Sequence, residues 1–325
     1  MRRLSILLAA AFVLAAAALG LAAAGAVNAE PPATSPVDHG VDITVDAITL
    51  ANSVMYVPGG EDFKAFKPYV KQLLSPKGVN PLRDNVADHI HHHALMYAVA
   101  IDGVDFWSET KNCGKQVPQT TSATKDVIKD EIDWVKADGN TVVATEKRTI
   151  VLHSPYPIVG PTLISWRTRL APPAGVESIT LTGSHYFGLG MRFVKSMDNA
   201  ATFTFADPNA KGLTVRDDEK LTPSTWAACT GQVDGNTVTV AMFDHPENSR
   251  PALWFTMGKP FSYLSATINL WKDPMVVKAG QELDVCHGIA VWDGKATRKQ
   301  IDEAYRNWRK LNHAKKPEKK DETKR

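Results

Sequence analysis

The stretch Arg83-Asp-Asn-Val-Ala-Asp88-His89-Ile90-His91-His92-His93 sets four histidines within five positions. Imidazole is the side chain whose ordinary pKa lies nearest neutrality. Such a cluster therefore suits proton transfer or, in its neutral form, metal ligation. Read as extended chain, His89, His91 and His93 share one face and His92 points the other way. One chemistry is acid–base catalysis by His89 and His91. Another is a divalent metal ion as cofactor, on which imidazoles two residues apart along a strand can converge, with Asp88 or Asp84 orienting the rings from behind. The plain alternative is a loop whose histidines bond only to backbone.

A second motif, Phe243-Asp244-His245-Pro246-Glu247-Asn248-Ser249-Arg250, crowds acid, imidazole, amide and guanidinium between two alternating segments. It suits a polar, oxygen-rich ligand, or else a solvated turn closed by an Asx-type hydrogen bond. A third, Ser184-His185-Tyr186-Phe187-Gly188-Leu189-Gly190-Met191-Arg192, has two glycines that permit close backbone approach or a bulge. The catalytic candidates are thus His89, His91, His245 and Arg192. The ligand-binding candidates are Arg83, Asp88, Asp244, Asn248 and Arg250. The expectation is one concave pocket shared by His89, His91, His245 and at least one of Arg192 or Arg250. His185 and His287 are further candidates, although a lone strand histidine such as His287 is more often a structural one. No Gly-x-Ser-x-Gly elbow, His-Glu-x-x-His helix or paired Cys-x-x-Cys site occurs in the sequence.

These motifs need a scaffold, and the surrounding text is written in strands. Period-two alternation runs through Val41-Asp-Ile-Thr-Val-Asp-Ala-Ile, Asp130-Glu-Ile-Asp-Trp-Val, Thr141-Val-Val-Ala-Thr, Leu163-Ile-Ser-Trp-Arg-Thr-Arg-Leu and Ser178-Ile-Thr-Leu-Thr. It resumes in Asn236-Thr-Val-Thr-Val-Ala-Met-Phe, Ala252-Leu-Trp-Phe-Thr-Met and Glu282-Leu-Asp-Val-Cys-His. Asp138-Gly and Asp234-Gly mark hairpin turns. Glu61 to Leu74 has helical spacing, but Pro68 removes a donor in its middle, so a strand over Tyr69 to Leu73 and a turn at Ser75-Pro-Lys-Gly are predicted instead. Thr297 to Leu311 carries Ile301, Ala304, Tyr305, Trp308 and Leu311 on one face and predicts a helix. The fold class is all-β: a large antiparallel β-sandwich, supersandwich-like, with one C-terminal helix. Trp107, Trp166, Trp226, Trp254 and Trp271 serve either as core filler or as sugar-stacking platforms.

The 325 residues divide into a leader (1–29), a proline-rich linker (30–40), a single β domain (41–313) and a charged tail (314–325). The leader has Arg2 and Arg3, an apolar run and a Val27-Asn28-Ala29 cleavage site, which predicts export to the periplasm or secretion. An N-terminal anchor is the alternative. No later stretch is long and apolar enough to span, so no integral membrane domain is expected beyond that anchor. Formal net charge is +2, and Arg2 and Arg3 account for it. The body has no basic excess, so no nucleic-acid partner is expected. Cys113, Cys229 and Cys286 are an odd set. Either Cys229 pairs with Cys286 or all three are buried thiols.

The order of motifs is distinctive. Lys67-Pro-Tyr-Val, Ser75-Pro-Lys-Gly, Leu82-Arg-Asp, Asp88-His-Ile-His-His and Val104-Asp-Phe-Trp-Ser-Glu are followed by Glu146-x-Arg148, Gly188-Leu-Gly-Met-Arg, Phe243-Asp-His-Pro-Glu-Asn and Pro260-Phe-Ser-Tyr. Together they resemble a bacterial family labelled PmoA, over about Lys67 to Leu311. That family reads Asp-His-Pro-His-His-Arg where this chain has Asp88-His-Ile-His-His-His93. His89, His91 and His92 match, and the resemblance makes them the candidate metal ligands; Ile90 and His93 depart. The resemblance implies a sandwich akin to carbohydrate-processing folds. It does not imply a multi-span methane monooxygenase subunit, because this chain has a single apolar run followed by polar alternation.

The functional expectation is an exported carbohydrate-active protein, a hydrolase or lyase using a His/Arg/Asp site, with or without a divalent metal. Its partner would be a carbohydrate or another small polar ligand. A non-catalytic sugar-binding or envelope-associated protein is one alternative, and a metal-dependent oxidoreductase another.

Overall fold

The computed structural model describes residues 47–59, 66–84, 86–153 and 160–312. The leader, the linker, the tail and most of the first alternating segment lie outside these residues. Alternation elsewhere became strands, all antiparallel, in sheets of nine, eight and four. Pro68 precedes a strand, Tyr69–Leu73, and Gly78 N–H bonds to the Ser75 carbonyl at 2.9 Å to close the turn after it. Asp234 and Gly235 both take positive φ, as a two-residue hairpin between Val233 and its partner Asn236 requires.

The nine-stranded sheet carries Leu95–Ala98, Gly188–Arg192, Tyr263–Thr267, Leu253–Met257 and Glu219–Pro223 as consecutive neighbours. Its register assigns two faces. Tyr97, Leu189, Ala266, Trp254 and Thr222 form one cross-strand row; Met96, Gly190, Ser265, Phe255 and Leu221 form the next, on the opposite face. Tyr97 packs on Trp134 of the strand Val127–Val135, with ring centroids 6.2 Å apart, so the first row faces the eight-stranded sheet. The second row faces outward.

Between the sheets the apolar core encloses one fully bonded ion pair. Arg148 Nε and Nη2 donate to the two Glu146 oxygens at 2.9 and 2.8 Å, and Glu146 also accepts from Trp134 and Thr168. The eight-stranded sheet has its own outer row, Phe243, Gly288 and Ser165. The C-terminal helix, Arg298–Leu311, lies on it. Its Trp308 stacks beside Phe243 and donates to Ser165 Oγ at 2.9 Å; a Cβ at Gly288 would meet the Trp308 ring at 2.7 Å. Thr297 caps the helix in a capping box with Gln300. The fold class is therefore an all-β sandwich with a single C-terminal helix among the described residues. Among them, no helix is long and apolar enough to cross a membrane.

All three cysteines are free and buried. Cys229 belongs to the core between the sheets and Cys286 to the cluster under the helix, so the suggested pairing does not form.

Candidate functional site

The outer face of the nine-stranded sheet holds a cavity of about 390 Å³. Its floor is Phe255, Met257 and Tyr263, side chains that the register places on one face. Tyr186 and Phe261 extend the apolar floor. His89, His91 and His92 form one wall, and the turn Arg216-Asp217-Asp218-Glu219 forms the opposite one with Lys259. Tyr263 is the pivot. Gly190 sits beside it on the neighbouring strand, and a Cβ there would lie 2.1 Å from the Tyr263 Oη, so only glycine leaves the ring its place. Gly188 meets a different limit: a Cβ would lie 2.1 Å from the Ala266 carbonyl oxygen, at a φ of +140°.

The histidine stretch is not extended. His89 N–H bonds to the Val86 carbonyl and His92 N–H to the His89 carbonyl, so the chain turns twice before the strand at Leu95. The expected split of faces is therefore reversed for the last two histidines. His89, His91 and His92 gather at the cavity, with ring centroids 4.6 to 5.7 Å apart. His93 points away, into buried carboxylates. His89 and His92 stack face to face at 21°. Stacked rings present faces rather than nitrogens to one another. Among the described residues, no group of three or more His, Cys, Asp or Glu is disposed to hold a metal ion.

Burial and the charges of Lys67 and His89 push the His91 pKa down to about 4, so it is neutral near pH 7. Burial, aided by the neighbouring His91, His89 and Arg192, pushes His92 further in the same direction. His89 is half-exposed, with Asp88 Oδ2 3.3 Å from its Nδ1; the pair is close but not aligned as a hydrogen bond.

Beneath the loop lies a charge network that sequence reading undervalued. His93 Nδ1 meets Asp84 at 3.1 Å and its Nε2 meets Glu109 at 3.0 Å. Lys67, fully buried, pairs with Glu109 and donates to the Trp107 carbonyl at 3.0 Å. Tyr69 Oη donates to Asp84 at 2.8 Å. Burial opposes the charge on His93, but the bonds to Asp84 and Glu109 outweigh it and raise its pKa. Burial likewise opposes the Glu109 charge, and His93 with Lys67 overcomes it and lowers the pKa. Lys67 and Glu109 do occur in the motifs Lys67-Pro-Tyr-Val and Val104-Asp-Phe-Trp-Ser-Glu. Nothing in their spacing shows that they meet.

Arg192 stands behind the histidine wall. It is 1% exposed, and its guanidinium lies 3.5 Å over the ring of Phe261. Asp198 is 3.9 Å from its Nη2 and 3.7 Å from Arg83, which flanks the site without lining it. Arg192 Nε and Nη1, His92 Nδ1, Tyr263 Oη and Trp107 Nε1 are buried without a hydrogen-bond partner among the described residues. Tyr263 and Trp107 both lie against His92, at centroid distances of 5.1 and 6.4 Å.

The expectation of one pocket shared with His245 is corrected. His245 packs on Trp308 at 5.6 Å, under the helix on the outer face of the other sheet, so the sandwich separates it from the cavity. Its neighbours are structural braces. Asn248 bonds to Asp244 at 2.7 Å and to the Cys286 backbone on both its amide atoms. Asp244 also accepts from the Ala252 amide, and burial raises its pKa to about 6. Arg250 donates to the carbonyls of Ile268 and Asp273 and pairs with the Asp273 carboxylate. None of Asp244, His245, Asn248 or Arg250 lines the cavity. His287, the candidate on the neighbouring strand, is buried 3.6 Å from Asp244 and does not line the cavity either. Trp107, Trp166, Trp226 and Trp254 are fully buried core side chains rather than open platforms.

The opposite wall was not anticipated. Glu219 accepts from Arg216 at 2.6 Å and meets His185 Nε2 at 2.9 Å; Asp218 accepts from the backbone amides of Gly258 and Lys259. His185 belonged to the third motif, but its partner is a tight turn with no recognisable signature.

No curated protein matches the chain. A family model described as a family of unknown function, DUF6807, matches residues 41–306, which is most of the chain and the whole of the sandwich that carries the cavity. The chain therefore belongs to the DUF6807 family.

Proposed function

We propose that this is an exported carbohydrate-active protein, periplasmic or secreted, whose cavity binds a saccharide and acts on it as a hydrolase or lyase. The observation that carries the reading is the set of orphaned polar atoms beside an apolar, aromatic floor. Buried polar groups in folded proteins are nearly always bonded, so unpartnered atoms on four side chains, His92 and Tyr263 lining the cavity and Arg192 and Trp107 packed behind them, mark where a ligand's polar groups belong. Sugar hydroxyls both donate and accept, and the carbon face of a sugar ring suits Tyr186, Phe255 and Tyr263. A volume of about 390 Å³ is that of a small-molecule site.

In this reading His89 transfers the proton. It is half-exposed at the cavity wall, with the Asp88 carboxylate beside its Nδ1 to favour the imidazolium as it forms. His91 and His92, kept neutral, accept or donate hydrogen bonds without competing for charge. The candidate catalytic set thus narrows to His89, His91 and Arg192. Kinship with the PmoA family is part of the proposal; its three matching histidines, His89, His91 and His92, are the three gathered at the cavity. The leader supports export.

The test is to incubate the purified chain with a panel of polysaccharides and follow new reducing ends and unsaturated products. The expected result is release of one product type, at least about a hundredfold slower in His89→Ala, the size typical of a lost acid–base group. Absence of both turnover and saccharide binding across the panel would overturn the reading.

A further inference from the structure

The orphaned atoms share a polarity. Arg192 and Trp107 can only donate. Burial raises the Tyr263 pKa well above its ordinary value, so its hydroxyl keeps its proton and can donate too. His92 Nδ1 adds a donor in one tautomer. These groups lie together: His92 contacts Tyr263 and Trp107, and Arg192 stacks on Phe261, which His92 also contacts at 5.6 Å. The local charge leans the same way. Asp198 is one carboxylate placed between two guanidiniums, Arg83 and Arg192, and it also accepts from the Ser262 amide. Asp88 is exposed and sits against His89, while Lys67 is already paired with Glu109. A cluster rich in buried donors and short of acceptors calls for a ligand group made of acceptors alone.

Resting on the saccharide reading above, we propose that the ligand is an acidic sugar, and that its carboxylate is received at the histidine end of the cavity by Arg192, Tyr263 and Trp107. The guanidinium supplies a charge-assisted bond from Nε or Nη1, and the other two donors complete the shell. Phe261 forms the partition: it lines the cavity and covers Arg192. A rotation of this ring opens the guanidinium to the ligand.

Calorimetric titration of the full chain with glucuronate and glucose, galacturonate and galactose, and glucose 6-phosphate tests the proposal. Each acid should bind about tenfold to a hundredfold more tightly than its neutral parent, the range for hydrogen bonds to a charged group. Arg192→Met should bring acid and parent to equal affinity, and Arg192→Lys, which keeps charge but loses the planar fork, should lose most of the difference. The comparison of acid with parent uses the unaltered chain, so a variant that fails to fold leaves the test intact. Equal affinity of acid and parent overturns the carboxylate assignment and leaves the saccharide cavity standing. Tighter binding of the phosphate than of either acid overturns it in favour of a phosphorylated sugar. Failure of every sugar to bind overturns both readings together.

Discussion

Replacing Glu109 by glutamine removes one charge from beneath the histidine wall and leaves the shape of the side chain intact. In the folded protein this carboxylate faces two cationic groups: Lys67, fully buried, and His93, at 3.0 Å. Breaking a buried ion pair from one side costs about 3–5 kcal/mol, because the remaining charge loses its compensation. The amide oxygen still accepts one hydrogen bond, which places the expected loss near the lower end, about 3 kcal/mol. At about 2–4 °C per kcal/mol for a large domain, melting should fall by roughly 6–12 °C. The pH dependence carries a sign. Glu109 has a lowered pKa when folded, so its contribution is present above its ordinary value of 4.5 and is lost as pH falls through the folded value. His93 has a raised one, so its contribution is complete below 6.5 and is lost as pH rises through the folded value. The gap between wild type and Glu109→Gln should therefore be widest between about pH 4.5 and 6.5 and narrow on both sides. Urea melts across this range, with exposed Glu131→Gln as the control, measure it. A gap below about 0.5 kcal/mol throughout, the size of an ordinary surface change, would refute the role assigned to the network.

Gly190→Ala should displace Tyr263, costing about 1–3 kcal/mol by overpacking and abolishing saccharide binding; melting and calorimetry read the two effects. Trp308→Ala should cost about 3–5 kcal/mol and loosen the C-terminal helix, seen as lost helical circular dichroism, whereas Thr297→Ala should cost only about 1 kcal/mol. Cys113, Cys229 and Cys286 should react with a thiol reagent only after denaturation and then as three equivalents without reductant; one equivalent would signal a disulfide.

Much of the scaffold was legible because period-two alternation and a misplaced Pro68 both act locally. Tyr69–Leu73, the Asp234-Gly235 turn and the capped C-terminal helix depend on neighbours a few residues away. The site was legible in part for the same reason. A run of histidines is visible as such, and so is Arg192 beside two glycines. The face each histidine takes was not, because it depends on turns closed by His89 and His92 amides, which no periodicity announces. Asp244 through Arg250 looked equally chemical, yet these side chains brace loops on the far side of the sandwich. Only strand order separates the two motifs: one follows a strand of the eight-stranded sheet, the other precedes a strand of the nine-stranded sheet. Lys67, Asp84, Glu109 and Glu219 take their roles from contacts many residues distant, and long-range pairing leaves no local mark.

A crystal structure of the chain soaked with a saccharide that it binds puts the central claim to the most direct test. Ligand density is expected over Tyr186, Phe255 and Tyr263, with polar atoms within hydrogen-bond distance of His92 Nδ1 and Tyr263 Oη. Density for the sugar beside His245 and Trp308, with the histidine-walled cavity left unchanged, would contradict it.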